Sequence, residues 1–371
     1  MGVGVNCLVD ELADAARVAI STVLKVRKGE RVVIFTNPHE DGQAISKALF
    51  QAASDRGASP VLVTQPMKTT LDFAEEAVLL AIRSEPEVLI SISQEKLGKD
   101  KWALKKPYKA GRKSYDSAFN YLLGTRRSRS FWSPSVTRDM FLRTVPVDYR
   151  VMKRDCKAVA RVLDAATRVR ITTAKGMDLT IGLKGRRSHL DDGDFSKPGS
   201  GGNLPAGEVF VSPALGSSSG RIVFDGSIST DKGAIVIERP IVAEVENGFV
   251  RKITGGGEAE RFRKAVEAGA VRAREFVRDG KLPRGKLDTY VRNSRNLGEL
   301  GIGMNRAARI VGNVLEDEKV FRTCHIAVGS NYDDDAPALI HYDGIINGPT
   351  IVATLKGGRS RVLLERGELR V

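Results

Sequence analysis

The chain has 371 residues, with 59 Lys and Arg against 45 Asp and Glu, a net charge of +14. That length suggests roughly two domains of about 100–200 residues each, and 42% hydrophobic with 28% charged residues excludes disordered, collagen-like and coiled-coil chains. Three scattered cysteines (Cys7, Cys156, Cys324) without a CxxC pair exclude a disulfide framework and a zinc ribbon. No apolar run reaches the roughly 18 residues of a membrane span, and MGVGVNCLVDELADAAR lacks a basic stretch before an apolar core. The expectation is a soluble, cytoplasmic protein whose core needs no staples.

Residues 8–25 carry apolar side chains at helical spacing. RVVIF (31–35), PVLVTQ (60–65) and EVLISIS (87–93) read as buried strands. They are separated by the helical stretches 41–57 and 71–84. Strand and helix alternating at this pace predict βαβ units and a parallel sheet with right-handed crossovers. The turn after the first strand, TNPHEDG, is neither GxGxxG nor a Walker loop, so a dinucleotide site is poorly supported, and His39 reads as a turn residue.

Residues 96–113, KLGKDKWALKKPYKAGRK, hold eight basic side chains and one acid, with Arg126, Arg127 and Arg129 following. Such a patch interleaved with Trp102, Tyr108 and Phe131 suits nucleic acid. No recognised nucleic-acid motif accompanies it, so it is read as a solvated basic loop, with no nucleic-acid partner expected. Residues 114–165 read as mostly helical around an aromatic segment, FWSPSVTRDMF (131–141), that either lines a cleft or fills core. From about 166 the pattern changes to short strands with turn signals, interrupted by one helix at 257–280. The fold expected is α/β plus α+β: an open parallel-sheet α/β domain with a helical extension over 1–165, and a strand-rich metal-binding domain over 166–371.

The chemistry concentrates in the second half. His325 and His341, two of only four histidines, fall within seventeen residues in apolar strand-like segments. In ALIHYDGII, His341 and Asp343 are two apart, so on a strand they share a face. A metal site and a buried His–Asp pair both account for this. LGELGIG sets Glu299, and NLPAGEVFVSP sets Glu208, in Gly-flanked apolar surroundings, where a carboxylate is costly unless paired or metal-bound. Two glutamates, two histidines and one aspartate form a set able to hold two divalent ions of the Zn, Co or Mn kind. Cys324, with no base visible nearby, reads as a small core residue.

NLPAGEVF, GELGIGMN, LEDEKVFRTCHIAVGSN and IHYDGII, in that order over residues 200–350, resemble the signature segments of the metal-dependent aminopeptidases of the aminopeptidase T and S type. The resemblance implies a dimeric two-domain metallo-aminopeptidase, a hydrolase with a peptide substrate and two divalent ions. It makes Glu208, Glu299, His325, His341 and Asp343 the ligands, Tyr332 a catalytic tyrosine, and Glu299 or Glu318 the general base. Two departures stand out: the loop SNYDDDAPAL between the histidines is trimmed, and EDEK lies further from His325 than the corresponding acid does. Asp333, Asp334 and Asp335 read as solvated. Ring-cleaving dioxygenases of the dihydroxypyridine type are similar to this family. A mononuclear iron oxygenase built on two histidines and one aspartate is therefore the alternative, for which Glu208 and Glu299 would be surplus. A third reading makes the chain a nucleic-acid-binding module with relic metal residues.

Overall fold

The computed structural model describes residues 3–69 and 72–371. The chain divides into two compact units, one of residues 1–153 with 193–206 and one of residues 154–192 with 207–371. The expected divide at 165/166 is therefore drawn differently, because the helix Tyr149–Ala165 runs through the change of unit and 193–206 returns to the first.

The first unit is built on a five-stranded sheet, parallel throughout. Its strands lie in the order Gly201–Asn203, Arg129–Trp132, Val88–Ile92, Arg31–Thr36, Ser59–Thr64. Three of these match the predicted strands. The other two escaped the sequence because GGN has loop composition and RSFW opens on a charged residue. On one face Val33, Phe35 and Leu89 pack with Val78, Leu79, Ile82 and Leu122 from the helices Glu76–Arg83 and Ala118–Gly124. Period-2 alternation sends Val32, Ile34, Val88 and Ile90 to the other face, where they are equally buried. The predicted start of the 71–84 helix falls at Leu71, outside the described residues. His39 is the exposed residue preceding the helix Glu40–Asp55, a turn position as expected.

The basic segment is more ordered than a solvated loop. Asp100, almost fully buried, accepts hydrogen bonds from the backbone N–H of Trp102, Ala103 and Ala118. It thereby starts the short helix Lys101–Lys105, and a hairpin of Tyr108–Ala110 with Lys113–Tyr115 follows. Arg129 is buried and paired with Glu30 at 2.6 Å, while Phe131, Met140 and Phe141 are core.

The second unit contains two antiparallel sheets. The eight-stranded sheet runs Phe249–Thr254, Ile241–Glu246, Ser219–Phe224, Asp178–Gly182, Ala166–Thr172, Thr350–Leu355, Ser360–Glu365, Glu368–Leu369. The seven-stranded sheet runs Gly233–Val236, Ser227–Thr230, His341–Asn347, Thr323–Gly329, Leu297–Gly303, Glu208–Val211, His189–Asp191. Gly344 lets the Phe224 ring, from the first sheet, close onto the second, since a Cβ there would meet that ring at 2.3 Å. The helix Gly257–Arg278 adds Phe262 against Phe224. The architecture is the mixed α/β and α+β plan expected. Among the described residues no helix is long and apolar enough to cross a membrane.

Candidate metal centre

All five predicted ligands stand on four adjacent strands of the seven-stranded sheet. Glu208 faces Gly303, Gly301 faces His325, and Ala327 lies between Glu299 on one side and Asp343 on the other. Side chains two apart share a face, so these pairings collect the donors on one side of the sheet. Small residues make the room. A Cβ on Gly301 would come within 1.9 Å of His325 Nε2, and one on Gly303 within 2.0 Å of the Val320 carbonyl oxygen.

The donors touch. Glu299 lies between the two imidazoles, Oε1 at 3.2 Å from His325 Nε2 and Oε2 at 3.2 Å from His341 Nε2. Asp343 Oδ1 is 3.4 Å from His341 Nε2, and Glu208 Oε2 is 3.5 Å from His325 Nε2. Three sets of side chains could each hold an ion: Glu208, Glu299 and His325; Glu299, His341 and Asp343; Glu318, His325 and Asp343. The tautomer of His341 is set from behind. Its Nδ1–H donates to the Ser330 carbonyl at 2.9 Å, which leaves Nε2 as the ring nitrogen facing the carboxylates. The Asp343 backbone N–H is held by Ser229 Oγ.

The electrostatics are those of a buried cluster of opposed charges. Burial alone would push Glu299 up, but hydrogen bonds from His325 and His341 outweigh it and hold the carboxyl at about 2. Burial likewise works against charge on His325, and Glu299 overrides it, raising the imidazole to about 9. His341 is raised well above its ordinary value by Asp343 and Glu299 against the same burial. Glu318 goes the other way, to about 8, because burial and the carboxylates of Glu208 and Asp343 exceed the pull of Lys319. Glu208 Oε2, His325 Nδ1 and Asp343 Oδ1 are buried without a hydrogen-bond partner. Such unmet polar atoms, in a cluster of carboxylates and imidazoles, fit a bound divalent ion.

Tyr332 is brought to the site although its loop is short. Its ring packs on Phe210 and His341, with centroids 4.8 and 5.4 Å away. Tyr332 is exposed and His341 partly so, which makes them the solvent-facing edge, while His325 forms the floor. The trimmed loop is tied down: Arg186 pairs with Asp333 at 3.0 Å and Asp335 at 2.9 Å. Asp333, Asp334 and Asp335 are all exposed, in line with the solvated reading, and the first and last are in addition paired with Arg186. Arg186 was invisible to it because 147 residues separate it from Asp333. His189 stacks on Phe210 outside the cluster. Cys324 and Cys156 are buried and unbridged, and burial first of all raises both thiols. The side chain of Cys7 lies outside those described.

Sequence reasoning missed Lys319. Its side chain is completely buried, with Nζ 2.6 Å from Glu208 Oε1, 2.7 Å from Glu318 Oε1 and 3.6 Å from Asp191 Oδ2. Within EDEK it reads as one more charge of an exposed turn. No pattern within EDEK signalled the pairing, because Glu208 lies 111 residues earlier.

The family model of 2,5-dihydroxypyridine 5,6-dioxygenase (NicX) matches residues 137–319. This is just under half of the chain; it includes Glu208, Glu299 and Glu318 but ends before His325, His341 and Asp343. No protein of curated function matches the chain in sequence. Among solved structures, the chain resembles the 2,5-dihydroxypyridine dioxygenase of Pseudomonas putida KT2440 with a TM-score of 0.71 and 16% identity over 100% of this chain and 98% of that one. It resembles wild-type AmpT of Thermus thermophilus with a TM-score of 0.65 and 17% identity over 98% and 99%. At these identities the likeness is one of fold, shared along the whole chain by a dioxygenase and by AmpT.

Proposed function

We propose that the chain is a metal-dependent aminopeptidase. The observation that carries this reading is the surplus of acid. Beyond the two histidines and one aspartate that suffice for a single oxygenase iron, Glu208 and Glu299 are buried in the same cluster, within 3.5 Å of an imidazole nitrogen. Glu208, Glu299, His325, His341 and Asp343 would hold the metal. A bound divalent cation of the Zn, Co or Mn kind supplies Lewis acidity, polarising a scissile carbonyl and making water more acidic.

The chain's own groups do the rest. Both oxygens of Glu299 are engaged by imidazoles, whereas Lys319 binds Glu318 through Oε1, so the ionised form of Glu318, grouped with His325 and Asp343, accepts the proton of the attacking water. It returns that proton to the leaving amine. Tyr332, at the open edge, donates its O–H to the oxyanion of the tetrahedral intermediate. The free α-amine of the substrate is attracted by the acid cluster, which favours cleavage at the N-terminus.

The test is hydrolysis of a panel of amino-acid amides, leucyl amide among them, with added Zn²⁺, Co²⁺ or Mn²⁺. Chelator-sensitive release of ammonia supports the proposal; absence of turnover across the panel removes it.

A second reading, a ring-cleaving dioxygenase, is favoured by the family match over residues 137–319 and by the dioxygenase fold likeness. His325, His341 and Asp343 would then hold one iron. Oxygen uptake with 2,5-dihydroxypyridine and Fe²⁺, without amide hydrolysis, would establish it instead.

A further inference from the structure

The ammonium of Lys319 is held by Glu208 and Glu318, whereas His341 contacts Glu299 and Asp343. The three neighbours of the ammonium are all carboxylates, and the lysine side chain has no exposure. A lysine charge so deep persists only when paired. The pairing is supported by the backbone: the segment carrying Lys319 crosses Gly303, where a Cβ would meet the Lys319 carbonyl carbon at 2.9 Å.

Two of the possible ion-holding sets, Glu208 with Glu299 and His325, and Glu318 with His325 and Asp343, draw on carboxylates that Lys319 already binds. The set of Glu299, His341 and Asp343 does not. A divalent ion brought close to the ammonium would be repelled inside a low-dielectric site. We infer that Lys319 is a built-in second cation: the centre takes one divalent ion, on the His341 side, and the ammonium supplies the charge that a second ion would bring. Lys319 is thus a positioning residue. It holds Glu208 and Glu318 in place and sets the stoichiometry of the centre at one. The inference rests on the metal-centre reading and replaces its two-ion expectation with one ion and one ammonium.

The experiment counts Zn²⁺ per full-length chain by calorimetric titration and elemental analysis, in the wild type, Lys319→Met and Lys319→Arg. The expected result is about one ion in the wild type, about two in Lys319→Met, and about one again in Lys319→Arg. Two ions in the wild type, or one in a folded Lys319→Met, overturns the inference while leaving the metal centre standing. No ion in the wild type removes the metal centre itself. Should Lys319→Met fail to fold, the wild-type count alone decides between one ion, which upholds the inference, and two, which ends it.

Discussion

His325 lies directly across from Gly301 on the neighbouring strand, and its Nε2 occupies the space that any side chain at 301 would fill. The contact explains a glycine inside a fully buried strand, where it would otherwise be unfavourable. Gly301→Ala should therefore displace the imidazole. Metal affinity is expected to fall about 10–100-fold, as when support for a ligand is lost, with far-ultraviolet circular dichroism unchanged. Unaltered affinity in the folded variant would show that His325 neither binds the ion nor supports Glu299.

A divalent ion should also stabilise the fold, because the donors converge only in the native state. At free metal 100-fold above Kd the gain is about 2.7 kcal/mol, seen as a higher urea midpoint that a chelator reverses. Glu299→Gln, which weakens the acid between both imidazoles, should abolish most of that gain. A midpoint indifferent to metal would contradict the site.

Tyr332 and Glu318 separate by kinetics. Tyr332→Phe should lower kcat by about 10²–10³-fold with little change in KM, as expected for one lost oxyanion donor. Glu318→Gln should lower kcat by about 10²–10⁴-fold, the usual range for general acid–base catalysis. Wild-type turnover in either variant removes that residue from the mechanism.

Away from the site, Glu30 governs part of the acid stability. Burial acts to raise its carboxyl, but the hydrogen bond from Arg129 and that from the Arg27 backbone hold it below the ordinary 4.5. A carboxyl lowered on folding stabilises fully above its unfolded pKa and loses that contribution as pH falls through the folded one. Glu30→Gln should destabilise the protein by about 1–3 kcal/mol at pH 7, since it removes the carboxylate facing the buried Arg129, which keeps the Leu24 and Lys25 carbonyls. The difference from wild type should shrink below about pH 4. Equal urea midpoints at pH 7 would refute the pairing.

The convergence of the five side chains was partly readable, because four of them stand out locally. Glu208 and Glu299 put charge into apolar, glycine-flanked strands, and His341 with Asp343 shows the two-residue period of a single strand face. The three central parallel strands were readable for the opposite reason, being plain apolar runs between helices. What stayed hidden depends on distance along the chain. Lys319 becomes meaningful only beside Glu208, 111 residues earlier. Arg129 finds Glu30 across 99 residues. Gly201–Asn203 becomes a strand only because Arg129–Trp132 offers it an edge.

Because the donors span positions 208 to 343 on neighbouring strands, no early portion of the chain owns a binding site. During synthesis the polypeptide cannot capture its ion until the His341–Asn347 strand has emerged and paired with Thr323–Gly329. Loading is then a late checkpoint: truncated or half-folded chains stay empty, and activity is confined to molecules that have finished assembling.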